Sequence, residues 1–170
     1  LGFPNFEVRK ALYRVVVPAL TMKSNSEVVS AQSFLRKMMQ DGNTAESKKA
    51  LKALIANVPY SNKKMASMDM EERYRLIMST IFRALGFRVE VERMLATGRI
   101  DMIVEVPSFI YVLELKLSNN GGISAAESQI KDKSYTEPFK ADKRKVIALA
   151  VELDEKGKGL IDWIEVDESL

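Results

Sequence analysis

One stretch, TGRIDMIVEVPSFIYVLELKL from Thr97 to Leu117, limits the folds open to this chain more than any other. It reads as two β-strands joined by a turn at Val106-Pro107-Ser108. It carries three polar residues that a plain core hairpin does not need. Asp101 opens the first strand, and Glu114 and Lys116 stand two apart in the second. Side chains alternate faces along a strand, so Glu114 and Lys116 share one face while Leu113, Leu115 and Leu117 take the other. Antiparallel pairing brings Asp101 level with the far end of the second strand. The three polar groups then meet at one edge of a sheet whose other face is buried.

The chemistry of such a cluster is restricted. Two carboxylates a few ångströms apart repel each other unless a cation sits between them. Oxygen ligands with water in the remaining positions suit Mg²⁺, with Mn²⁺ as a substitute. A lysine beside them positions a water or stabilises charge on a phosphate. A lone E-x-K is ordinarily a solvated strand face. Here it follows a G-R-x-D partner strand, and that pairing favours a site equipped for metal-assisted phosphodiester hydrolysis.

Composition removes many alternatives. The 170 residues suit one domain, or one domain with a helical extension. There is no cysteine, which excludes disulfides, thiolate nucleophiles and Cys-ligated metals, and fits a reducing cytoplasm. There is no histidine, which excludes Ser-His-Asp and Cys-His catalysis and H-E-x-x-H zinc sites. Acid–base work therefore falls to carboxylates, lysine, tyrosine or metal-bound water. A net charge of +3 permits a polyanionic partner without requiring one. No run of 18 apolar residues suggests a membrane span. The chain opens on Leu1 with no methionine or leader, which reads as an excised piece of a longer protein.

Helical patterns fill the first part. One is expected from Asn5 to Pro18, one from Ser26 to Gln40, and one from an Asn43 cap to just before Pro59. Residues 1–60 thus form a helical segment, suited to packing or partner docking. Tyr60–Met68 reads as a polar linker. A fourth helix runs from Asp69 to Leu85, with Asp69, Glu71 and Glu72 in its first turn, where acids favour the helix dipole. Phe87–Met94 alternates as a half-buried or edge strand. After the hairpin, Asn119–Gly122 reads as a loop, and Ser124 with Glu127 as a capping box for a helix to about Tyr135. Gln129 and Lys133 share a face of that helix. Lys140, Lys143, Arg144 and Lys145 form a basic cluster, open to two readings: solvated surface, or phosphate contact. Val146–Leu153 is apolar enough for a strand buried on both faces, and Leu160–Val166 adds a short strand or helical turn.

The core order, α-β-β-β-α-β, with Asp101 on the second strand and Glu114-Leu115-Lys116 on the third, resembles the PD-(D/E)XK nuclease superfamily. Gly2-Phe3-Pro4-Asn5-Phe6-Glu7-Val8 resembles a segment found in bacterial proteins in which an AAA-type ATPase-like region precedes such a domain. Leu85-Gly86-Phe87, Glu92, Gly98-Arg99-Ile100-Asp101, Gln129-Ile130 and Tyr135 stand in that branch's order. The resemblance implies an α/β (α+β) fold of the restriction-endonuclease type: a mixed sheet flanked by helices over residues 69–170.

It further implies a Mg²⁺-dependent nuclease acting on nucleic acid, with DNA the expected substrate. Asp101 and Glu114 would be metal-binding carboxylates, Lys116 the lysine that orients the attacking water, and Glu71 (with Glu72 as the one-residue alternative) a further acid of the metal shell. Gln129 and Tyr135 would line the cleft, with Arg99 and Lys133 on substrate. The resemblance places histidine four residues after the helix glutamate, where this chain has Arg75. An ATPase-like region in the full-length chain and pairing of two chains through the N-terminal helices are the partner expectations. The competing reading is a non-catalytic interaction or regulatory module that keeps the nuclease fold.

Overall fold

The computed structural model describes residues 25–56 and 68–167. The helix expected from Asn5, and the linker before Met68, lie outside the described residues.

Two helices come first, α1 (Asn25–Gln40) and α2 (Thr44–Ile55). The turn between them is made at Gly42, with φ at +73°. Asn43 caps α2 by accepting the Glu46 backbone N–H at 3.1 Å, as its side-chain chemistry predicts. Helix α3 (Met70–Ala84) starts behind Asp69, whose carboxylate accepts the Glu72 N–H. Three strands follow, β1 (Arg88–Met94), β2 (Arg99–Glu105) and β3 (Phe109–Leu117). Helix α4 (Gly122–Lys133) crosses to β4 (Lys145–Leu153), and β5 (Leu160–Val166) ends the sheet.

The sheet order is β1-β2-β3-β4-β5. All neighbours are antiparallel except β3 and β4, which run parallel from Phe109↔Lys145 to Leu117↔Leu153. A parallel pair needs a crossover, and α4 supplies it. This mixed sheet with flanking helices is the α+β architecture expected for a restriction-endonuclease-like core.

Two apolar clusters sandwich the sheet. Leu35, Met39, Leu51, Leu54, Ile77 and Phe82 of α1–α3 pack on one side with Met102, Leu113 and Leu115. Ala126 and Ile130 of α4, with Tyr135 and Phe139, pack on the other with Ile103, Val112 and Ala148. The N-terminal helices therefore share a core with the sheet. Tyr111 donates to the Met39 carbonyl at 2.6 Å, and Trp163 Nε1 to the Thr44 carbonyl at 3.0 Å. Among the described residues of α1, Val29 and Phe34 are the large apolar side chains left exposed.

Two local expectations fail. The 118–122 stretch is a short 3₁₀ turn (Ser118–Asn120) running straight into α4, and Ser124 does not cap the helix. Instead the Glu152 carboxylate on β4 accepts the Ile123 N–H at 3.2 Å. A cap delivered from a distant strand allows the helix to begin three residues early, at Gly122, whose φ of +51° suits glycine. Helix α4 also stops before Tyr135, because Ser134 turns to φ +49°.

Candidate active site

Alternation along β2 slips at Asp101. Met102 and Val104 belong to the first cluster, yet Ile100, at the same parity, packs in the second. The pairing with β3 also ends here, at Met102↔Leu113. Asp101 replaces the next rung: its Oδ2 accepts the Leu115 backbone N–H at 2.9 Å. The side chain is nearly fully buried.

Glu114 follows Leu113 on β3 and is 1% exposed. Its Oε1 accepts from Lys116 Nζ at 2.8 Å, while its Oε2 is buried with no hydrogen-bond partner. Burial first, and Asp101 second, push the Glu114 carboxyl up to about 7 against the opposing pull of Lys116. Burial pulls the Lys116 ammonium down, but Glu114, Asp101 and Glu71 outweigh it and hold the group cationic. The three residues expected to form the site are thus brought together. Both faces of β3 are covered here, rather than one, as alternation alone predicts.

Helix α3 adds two groups. Glu71 faces the cluster, and its carboxyl is raised by burial and then by Asp101. Glu72, its one-residue alternative, is exposed on the helix surface. Arg75, one turn further on, extends its guanidinium to 3.8 Å from Glu71 and 3.9 Å from Asp101. Its Nη1 donates to Glu92 Oε1 at 2.7 Å. Glu92 on β1 also pairs with Arg99 at 3.0 Å, and Arg99 Nη2 lies 4.0 Å from Asp101. The sequence offers Arg75 only as a phosphate contact at the resemblance's histidine position, and Glu92 only as a residue in that branch's order; neither is expected to face the acidic pair. The i,i+4 spacing of Glu71 and Arg75 was the one local signal for Arg75.

Tyr135 is placed differently from expectation. It is fully buried, so it offers no surface to a substrate. Its hydroxyl donates to the Arg99 carbonyl at 2.7 Å and accepts from Gln129 Nε2 at 3.0 Å. The pair braces the start of β2 two residues before Asp101. Gln129 is half-buried, and Lys133 is exposed, its stem against Gly98. Arg99 lies half exposed at the rim.

The basic cluster stands elsewhere. Lys145 pairs with Phe109 at the start of β3, the opposite end from Glu114 and Lys116. Five strand residues separate Phe109 from Glu114, a span of about 17 Å. Arg144 is engaged by Asp142 at 2.8 Å and Glu105 at 2.9 Å.

The donor set suits a divalent cation. Burial and the neighbouring Asp101 carboxylate raise the proton affinity of Glu114, and Glu114 Oε2 lacks a partner; a cation beside the pair relieves both conditions. Among the described residues no group of three or more acids is arranged to hold a metal ion. Two carboxylates with water completing the shell is an arrangement Mg²⁺ accepts. No helix among the described residues is long and apolar enough to cross a membrane.

Comparison with known proteins bears on the family of the chain. An uncharacterized protein in the vnfD 5′ region of Azotobacter chroococcum mcd 1 is 25% identical over 173 residues, covering 96% of this chain. The chain spans about a third of that relative's length, 32%. No solved structure matches the chain. The family model for the PD-(D/E)XK nuclease superfamily matches residues 69–163, from the cap of α3 to β5, and so takes in Glu71, Asp101, Glu114 and Lys116. The chain belongs to the PD-(D/E)XK nuclease superfamily.

Proposed function

We propose that this chain is a divalent-metal-dependent nuclease that hydrolyses phosphodiester bonds in DNA at the Asp101–Glu114–Lys116 cluster. The observation that carries the reading is the buried Asp101–Glu114 pair with a free carboxylate oxygen and an ammonium 2.8 Å away.

Asp101 and Glu114 would hold Mg²⁺ or Mn²⁺, and Glu71 on α3, whose carboxyl Asp101 raises, would add negative charge beside them. The ion, when bound, supplies Lewis acidity toward a phosphate oxygen and toward water. The remaining work falls to the chain. Lys116, kept protonated by its acidic neighbours, orients a water and offsets negative charge as it develops on phosphate. Arg99 and Lys133, on the exposed rim, supply sequence-blind contacts to the nucleic-acid backbone. Gln129 and Tyr135 act one step back, fixing the Arg99 backbone.

The test is cleavage of plasmid and single-stranded DNA, and of RNA, with Mg²⁺ or Mn²⁺. Asp101→Asn, Glu114→Gln and Lys116→Ala are each expected to reduce cleavage at least a hundredfold. Cleavage surviving in all three variants rules the mechanism out. A chain that neither cleaves nor binds Mn²⁺ is instead the non-catalytic module that shares this fold.

A further inference from the structure

The acidic pair is faced by a cation that phosphodiester hydrolysis at Asp101, Glu114 and Lys116 does not call for. The Arg75 side chain is only 11% exposed. One of its terminal nitrogens is fixed to Glu92 at 2.7 Å, and the other reaches Glu71 at 3.8 Å and Asp101 at 3.9 Å. Its Nε is buried without a hydrogen-bond partner. Packing alone does not account for an arginine placed this way.

Glu92 supplies a second, independent observation. It sits at φ +55°, a conformation that disfavours residues other than glycine. Its side chain is 45% exposed, so no core packing holds it there. What the strained position achieves is one carboxylate gripping two guanidinium groups, Arg75 and Arg99. Strain kept without a packing reason points to function.

The local charges explain what the grip does. With every carboxyl ionised, as at pH 8, Glu71, Glu92, Asp101 and Glu114 face Arg75, Arg99 and Lys116, leaving one net negative charge. Without Arg75 a divalent ion would meet one more negative charge at about the same place.

Building on the nuclease reading above, we propose that Arg75, held by Glu92, is a resident counter-cation of Asp101 and Glu71 with which a divalent ion must compete. The Glu92–Arg75 pair then sets the cation concentration at which the site fills. Without Glu92, Arg75 closes on Asp101 and Glu71 and competes harder.

Calorimetric titration of the chain with Mn²⁺ tests this without reference to cleavage. Arg75→Met is expected to bind Mn²⁺ at least about tenfold more tightly, a lower bound for removing a unit charge some 4 Å from a divalent ion at the dielectric of water. Arg75→Gln, which removes the charge but keeps a polar side chain, is expected to shift the same way and serves if the methionine variant folds poorly. Glu92→Gln is expected to weaken binding, and that effect should be smaller in the Glu92→Gln/Arg75→Met double variant, where only the direct loss of the Glu92 charge and its hold on Arg99 remain. Unchanged or weaker affinity in folded Arg75 variants overturns the proposal while leaving the nuclease reading standing. A Glu92 effect of equal size with and without Arg75 overturns the coupling. If the parent chain and every variant bind no Mn²⁺, the metal-dependent reading fails and this proposal fails with it.

Discussion

Asp101 closes the ladder between β2 and β3: its Oδ2 takes the Leu115 backbone N–H at 2.9 Å, where the strand pairing has ended. One carboxylate thus serves the fold and the candidate metal site. Removing it should carry both penalties, and side-chain choice separates them. Asp101→Ala strands a buried N–H and is expected to cost about 1–3 kcal/mol of stability. Asp101→Asn keeps an acceptor and should cost less than about 1 kcal/mol while still abolishing cleavage. Urea unfolding of the two variants checks this; equal losses would show that the Leu115 bond contributes nothing.

Tyr135 divides the two roles differently. A residue lining the cleft would weaken substrate binding when altered and leave stability alone. A buried brace does the reverse. Tyr135→Phe deletes the donor to the Arg99 carbonyl and the acceptor for Gln129. It is expected to lower stability by about 1–2 kcal/mol, and Gln129→Leu by less, because the Gln129 side chain is half-buried and retains access to water. Thermal melts of both variants decide it. A raised KM with an unchanged melting temperature would return Tyr135 to the substrate.

The contrast shows what could be read in the sequence. The hairpin and the shared face of Glu114 and Lys116 were legible because period-two alternation and a tight turn are local signals, and β4 because its apolar run is continuous; that Asp101 lies near them followed from the hairpin pairing. Helix α3 was legible from its apolar stripe and its Asp69 cap. The start of α4 was not, because its cap is Glu152, some 30 residues away in sequence and adjacent only once β4 is in place. Glu92 read as a polar outward residue of an edge strand, and nothing in alternation foretells a positive φ. Tyr135 read as the end of a helix facing a cleft; the turn at Ser134 instead carries it inside. Local patterns place the elements, and tertiary contacts decide which polar groups they aim at one another.

Gly42 couples the N-terminal helices to the sheet. Its φ is +73°, and a Cβ there would sit 2.4 Å from the Phe109 ring at the start of β3. Gly42→Ala is expected to cost about 2–4 kcal/mol, from backbone strain and overpacking together. Adding Phe109→Leu should recover the steric part. Chemical denaturation followed by both far-ultraviolet circular dichroism and Trp163 fluorescence is the measurement. Since Trp163 Nε1 is bonded to Thr44, the two signals should lose stability together. A shift confined to the helical signal would mean that α1 and α2 unfold separately from the sheet.

Glu114 makes the metal-free chain sensitive to alkali. Burial and Asp101 raise its carboxyl from the ordinary 4.5 to about 7 in the folded state. Between those values the folded chain binds a proton that the unfolded chain has released. The associated stability is therefore complete below about pH 4.5 and is lost as pH rises through 7. At about 1.4 kcal/mol per unit, the loss is roughly 3 kcal/mol in EDTA. Glu114→Gln cannot ionise, so in EDTA it should flatten this slope and be the more stable protein at pH 8, by about 2 kcal/mol. Mn²⁺ should reverse the order, stabilising the parent chain and leaving Glu114→Gln nearly unaffected. Melting temperatures from pH 5 to pH 9, with EDTA and with Mn²⁺, provide the check. A parent chain whose stability in EDTA is flat or rises across that range would show that the Glu114 carboxylate is well solvated or fully balanced by Lys116, and the electrostatic case for a cation between Asp101 and Glu114 would go with it.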